Sequence, residues 1–206
     1  MFEDLKGKRV LVTGASSGLG AHFVRLLAGH GAHVAAAARR QDRLVALAQD
    51  CAALPGKVTP VVLDVASVEA IGAGLEEARI ALGGLDVLVN NAGVVETARA
   101  LDLDEAQWDA HLDVNLKGCF FAAQGAARIM SKQAEGGAIV NIASILGERV
   151  AASVTPYAVA KAGLIQMTKA LALEWARHKV RVNALAPGYV ITDLTATSSP
   201  PSPARR

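Results

Sequence analysis

The sequence predicts an α/β fold built on a doubly wound, parallel sheet. Two observations carry that expectation. Short β-branched apolar runs alternate with longer Ala/Leu-rich stretches of helical period along nearly the whole chain, the order that βαβ units require. The apolar runs are also continuous, as strands are when helices cover both faces of a sheet.

Strands are expected at residues 9–14 (RVLVTG), 33–38 (HVAAAA), 58–65 (VTPVVLDV), 85–91 (LDVLVNN), 137–144 (GAIVNIAS) and 180–188 (VRVNALAPG). Helices are expected near 19–30, 41–53, 67–82, 104–132 and 155–178. Right-handed crossovers would join the six strands into one sheet. The chain has 206 residues and a hydrophobic fraction of 52%, enough for one domain with a real core. That domain is placed at residues 1–194. Residues 195–206 (ATSSPPSPARR and the preceding Thr) are Pro/Ser-rich without apolar periodicity, which predicts a disordered tail.

Composition narrows the function classes. With 21 Lys+Arg against 19 Asp+Glu the net charge is only +2, so nothing advertises nucleic-acid binding. No apolar stretch approaches the roughly 18 residues of a membrane span. The opening MFEDLKGKRVLVTGAS carries charges where a signal peptide needs an apolar run, so a soluble, cytoplasmic protein is expected. Cys51 and Cys119 lack metal-type spacing and read as small buried residues of a reducing compartment. The five histidines (His22, His30, His33, His111 and His178) are scattered without ligand spacing and are assigned to helix surfaces, and no metal is expected. Trp108 and Trp175 read as packing residues, and Asp113 as a solvated helix carboxylate.

The first strand runs into Thr13-Gly14-Ala15-Ser16-Ser17-Gly18-Leu19-Gly20 and then into a helix. Glycine allows both the tight turn and a close backbone approach to a pyrophosphate. The helix N-terminus adds unpaired N–H groups and a positive dipole end. Strand, glycine loop and helix in that order predict a dinucleotide site.

The end of the second strand bears on the cofactor. An acid there would accept from a ribose 2′-OH, whereas a cation would meet a 2′-phosphate. The segment reads Ala38-Arg39-Arg40, with no acid before Asp42. The planar guanidinium suits a phosphate, so NADP(H) is favoured, with Arg39 first and Arg40 beside it facing the 2′-phosphate, and NAD(H) stays open; a solvated helix entry would look the same. Asp64-Val65, at the third strand's end, could contact the adenine, or Asp64 could cap the helix near Ser67. Asn90-Asn91-Ala92-Gly93 ends the fourth strand, where small residues would admit a ribose or form a plain turn.

Tyr157 and Lys161 are four residues apart in a strongly helical segment, which places them side by side on one face. A free phenol is a poor base at neutral pH, with a pKa of about 10. A neighbouring ammonium and an oxidised nicotinamide would both favour the phenolate. Ser144 ends the fifth strand, thirteen residues before Tyr157. Its hydroxyl could polarise a carbonyl that Tyr157 protonates while hydride arrives from the cofactor.

Together these residues resemble the short-chain dehydrogenase/reductase family, over about residues 5–194. The markers run in order: TGASSGLG (13–20), DV (64–65), NNAG (90–93), Asn115 in DVNLKG, Ser144 in NIASILG, YAVAK (157–161) and PGYVITD (187–193). The resemblance implies a Rossmann fold and reversible alcohol–carbonyl oxidoreduction with NAD(P)(H). It implies a catalytic set of Asn115, Ser144, Tyr157 and Lys161. Asn115 would hold a helix kink and a water near Lys161, and Lys161 would also bind the nicotinamide ribose. Pro187, Gly188 and the stretch Val190 to Thr192 would meet the carboxamide. A small-molecule alcohol or carbonyl partner and a homodimer or homotetramer, paired through the helices bearing Asn115 and Tyr157, are further implications. Family members usually continue well past the Pro-Gly motif into lid helices and a seventh strand. Here six strands are expected with the usual seventh missing, and a nucleotide-binding protein with weak or no turnover is the alternative expectation.

Overall fold

The computed structural model describes residues 3–190. Thr192 and the expected tail at residues 195–206 lie outside the described residues. One six-stranded parallel sheet forms the centre, in the order β3-β2-β1-β4-β5-β6. The strands are β1 (Arg9–Thr13), β2 (His33–Ala38), β3 (Val58–Val62), β4 (Val87–Asn90), β5 (Gly137–Ile142) and β6 (Val180–Leu185). The helices are α1 (Gly18–Gly29), α2 (Gln41–Asp50), α3 (Val68–Leu82), α4 (Glu105–Leu112), α5 (Gly118–Met130) and α6 (Thr155–Trp175). Each strand begins and ends within a few residues of its expected place.

The continuous apolar runs have the cause inferred for them. Alternate residues of the inner strands enter two separate cores, whereas the edge strand β6 buries Val180 and Val182 and exposes Arg181 and Asn183. Leu11, Ala35, Leu88 and Ile139 face Ile71 and Leu75 of α3 and Ala122 and Ala126 of α5. Val10, Val12, Val34 and Val89 face Val24 and Ala28 of α1 and Leu44 and Leu47 of α2. Burying each of the Val, Leu and Ile side chains contributes about 1.5–3 kcal/mol, and both faces do so. β3 can carry Pro60 because it is an edge strand with an unpaired side.

Strand order reverses at β1, which pairs β2 on one side and β4 on the other. In open α/β sheets a crevice opens beyond the carboxyl ends at such a point.

One expectation needs correction. The stretch 104–132 is not a single helix. Asp104 starts α4 with a reciprocal cap involving Gln107. A π-helical turn over Asp113–Lys117 then separates α4 from α5. Such one-turn widenings are rare and cluster at functional positions. Gly118 follows at once, where a Cβ would collide with the Val65 carbonyl oxygen. The chain there must pass hard against the loop leaving β3. Among the described residues, no helix is long and apolar enough to cross a membrane, and no cluster of His, Cys, Asp or Glu could hold a metal. Cys51 and Cys119 are both buried and free.

Candidate active site

The carboxyl ends of all six strands contribute to one cleft. At its near end lies the glycine loop. Gly14 has a φ of +65° and Gly18 a φ of +54°, conformations that favour glycine. A Cβ on Gly14 would stand 2.7 Å from the Ala92 Cα, and one on Gly20 would collide with the Gly14 carbonyl oxygen. Gly20 therefore lies behind the loop and lets α1 pack against it, whereas Gly14, Ser16, Ser17, Gly18 and Leu19 line the cleft. The loop is tied to β4: the Thr13 Oγ1 accepts from the Asn91 and Ala92 N–H groups, at 3.0 and 3.1 Å. The Asn91 Nδ2 returns bonds to the Thr13 and Gly14 carbonyls.

Both arginines after β2 line the cleft, but only one reaches the loop. Arg40 donates from Nε and Nη2 to the Ser16 Oγ (3.2 and 2.8 Å) and from Nη2 to the Ser17 Oγ (3.0 Å). Ser17 precedes α1 at its N-cap, yet its side chain makes no capping bond. The Ala38–Arg40 segment and the loop thus form one polar corner. At the end of β3, Asp64 accepts from the Ala66 N–H at 3.0 Å, and the N-cap of α3 is Ser67, which accepts from Ala70. Asp64 is free of that capping duty and lines the cleft with Val65.

The far end gathers Ser144, Tyr157, Lys161, Pro187, Gly188 and Val190. α6 starts with Pro156 in its first turn, a position that suits the fixed φ of proline, so Tyr157 and Lys161 stand in its first two turns. The Ser144 Oγ accepts from the Leu146 N–H at 3.1 Å, which leaves its hydroxyl proton to donate elsewhere. Burial raises the Tyr157 pKa above its usual value, and a Ser144 hydrogen bond draws it back down. Lys161 is almost fully buried; its Nζ donates to the Ile142 carbonyl at 2.8 Å and lies 5.6 Å from the centre of the Tyr157 ring. Burial lowers its pKa, and nearby Cys119 acts in the opposite direction.

Asn115 sits at the middle of the π-helical turn and is completely buried. It does not line the cleft. Its Oδ1 accepts from the Val94 N–H (3.0 Å) and its Nδ2 donates to the Val94 carbonyl (2.9 Å), so it holds the cleft wall from behind. Gly93 separates Asn115 from Lys161: a Cβ there would stand 2.9 Å from the Asn115 Oδ1 and 3.8 Å from the Lys161 Nζ.

Sequence reasoning missed several buried polar residues. The Asn90 Nδ2 donates to the Asn141 Oδ1 (2.9 Å), the Asn141 Nδ2 to the Thr168 Oγ1 (2.9 Å), and Thr168 to the Leu164 carbonyl (2.7 Å). This chain fixes α6, and with it Tyr157 and Lys161, against β4 and β5. His111 overturns the helix-surface assignment: it is 1% exposed and bonded through both ring nitrogens. Both of its partners are backbone groups, so the sequence carried no signal for it.

A profile of the short chain dehydrogenase family matches residues 8–202. The chain belongs to that family. Its members are oxidoreductases that use NAD(P)(H). Among proteins similar to this family member is the 3-oxoacyl-[acyl-carrier-protein] reductase FabG of Thermotoga maritima, 42% identical over 93% of this chain and 77% of that protein. Another is the 2-dehydro-3-deoxy-D-gluconate 5-dehydrogenase of Escherichia coli, 35% identical over 93% of this chain and 75% of its own length. The crystal structure of a putative short-chain alcohol dehydrogenase from Sinorhizobium meliloti superposes with a TM-score of 0.90. It is 44% identical, with 96% of this chain and 77% of that one covered.

Proposed function

We propose that this short-chain dehydrogenase transfers hydride between NADP(H) and a ketone or secondary alcohol, with Tyr157 as the general acid/base. One observation carries the reading: Ser144, Tyr157 and Lys161 meet at one end of a cleft whose other end is the glycine loop and Arg40. The cradle fits a dinucleotide, because the positions of Gly14 and Gly20 leave no room for a Cβ and the loop opens onto the N-terminus of α1.

In this reading the pyrophosphate lies on Gly14, Ser16, Ser17, Gly18 and Leu19. Arg40, with Arg39 and Ser16, holds the 2′-phosphate. Asp64 and Val65 meet the adenine. Asn91, Ala92 and Gly93 pass the riboses, and Pro187, Gly188, Val190 and Thr192 meet the carboxamide. When bound, the nicotinamide supplies or accepts the hydride.

The chain's own residues handle the proton. The Ser144 hydroxyl donates to the substrate oxygen, and the Tyr157 hydroxyl gives it a proton during reduction or takes one during oxidation. Lys161 spends one of its three donors on Ile142, which leaves two for the ribose and for a proton relay to solvent. Asn115 fixes the wall beside that relay. The names of the relatives, a 3-oxoacyl reductase and a gluconate-type dehydrogenase, support interconversion of carbonyl and hydroxyl. A homodimer or homotetramer, paired through the helices that bear Asn115 and Tyr157, belongs to the same reading.

The test is NADPH consumption against a panel of 3-oxoacyl thioesters and keto-acid sugars, with Tyr157→Phe as the control. The phenylalanine variant should bind NADPH normally and lose about 10²–10⁴ in turnover. Near-normal turnover would remove Tyr157 from its role.

A further inference from the structure

The segment leaving β4 is held at alternate residues. Val94 is bonded through both backbone groups to Asn115. The Glu96 N–H donates to the His111 Nε2 at 3.0 Å. The Ala98 N–H donates to the Ser153 carbonyl at 3.0 Å, in the loop that leads to Tyr157. Gly93 and Val94 of this segment line the same cleft as Ser144 and Tyr157.

The bonding fixes the state of the His111 ring. Nε2 accepts from an amide, so it carries no hydrogen, and Nδ1 donates to the Gln107 carbonyl at 2.7 Å. Gln107 is locked in turn. Its N–H donates to the Asp104 carboxylate at 2.7 Å, and its side chain accepts from the Asp104 N–H at 3.3 Å. A rigid path therefore runs from the cap of α4, through a buried imidazole, to one backbone amide two residues beyond the cleft-lining Val94. A core histidine used only as filler would not need an acceptor aimed at a loop amide.

We infer that His111 is a positioning residue for substrate recognition: it sets the place of Glu96, and through it the wall formed by Gly93 and Val94. It touches neither cofactor nor substrate. Its kinetic consequence rests on the functional reading above, whereas its structural consequence does not. Without the imidazole the Glu96 N–H has no acceptor, and the wall is fixed only at Val94 and Ala98. The carbonyl substrate should feel this more than the dinucleotide, whose phosphate subsite is built on the loop after β1.

Three measurements on the full chain test the inference. In His111→Leu, hydrogen exchange of residues 94–98 in the NADPH-bound protein should quicken. The KM for an acetoacetyl thioester should rise about tenfold, the loss of roughly one hydrogen bond's discrimination. The kcat and the NADPH Kd should hold within about twofold, the pattern of lost substrate binding. His111→Gln, whose amide oxygen can accept from Glu96, should restore both exchange and KM. Unchanged exchange in His111→Leu would overturn the inference, even if the unmodified chain turned over no ketone and the functional reading had failed. So would a parallel loss of Tm, kcat and NADPH affinity that His111→Gln does not rescue, because a general packing role would produce it.

Discussion

Arg40 offers the sharpest test of cofactor choice. The structure gives its guanidinium three hydrogen bonds, all to hydroxyls of the glycine loop, at 2.8 to 3.2 Å, and the residue is exposed. Neutral serine hydroxyls do not neutralise it, so the charge remains available to a phosphate set between Arg40 and Ser16. A charge-assisted bond contributes roughly 1.5–3 kcal/mol. Exposure and screening place this one near the lower end. About 1.4 kcal/mol corresponds to a tenfold change in affinity. Arg40→Gln, which keeps most of the length and removes the charge, should therefore weaken NADPH about tenfold and NADH much less. Arg40→Glu should reverse the preference, and added salt should narrow the gap in the unmodified protein. Arg39 makes no hydrogen bond to the loop among the described residues, so Arg39→Gln should have the smaller effect. Fluorescence titration with both nucleotides reads all of this. If Arg40→Gln weakened NADH as much as NADPH, or the unmodified chain bound the two equally, then Arg40 would be a loop brace and the NADP(H) assignment would fall.

Three further predictions concern the chemical end and the wall beside it. Burial raises the Tyr157 pKa, so the phenol keeps its proton through the neutral range. Carbonyl reduction should stay flat there and be lost only as pH rises through that raised pKa, while alcohol oxidation, which needs the phenolate, should climb toward alkaline pH. Because the Ser144 hydrogen bond lowers the same pKa, Ser144→Ala should move both alkaline limbs to higher pH as well as reducing turnover; limbs that stay in place would separate Ser144 from Tyr157. Gly93→Ala puts a methyl group 2.9 Å from the Asn115 Oδ1 and should displace it from Val94, at a cost of about 1–3 kcal/mol for the broken buried bonds. Thermal melting and turnover should fall together, and an unchanged melting temperature would show that the wall yields freely.

What the sequence displayed and what it hid follow from one physical difference. The inner strands were readable because burial on both faces writes itself into consecutive residues: Val10 and Val12 enter one core and Leu11 the other, yet all must be apolar. The glycine loop, Ser144, Tyr157 and Lys161 were readable because each sits at a strand end or on one helix face, so local spacing predicts their meeting. The hidden features depend on partners far away in the chain. Asn141 is matched by Asn90 and Thr168, and His111 by the backbone of Glu96, which any residue type there would supply. A backbone partner leaves no trace in side-chain identity. The π-helical turn was hidden for a related reason: one extra residue in a turn does not disturb an apolar pattern already long enough to read as continuous helix. Arg39 and Arg40 differ only in the direction in which the chain leaves β2, and that direction is set where Arg40, with φ −90° and ψ 92°, stands as the extended N-cap of α2. The choice between the two arginines is thus a matter of backbone geometry at a single residue, which composition and spacing do not encode.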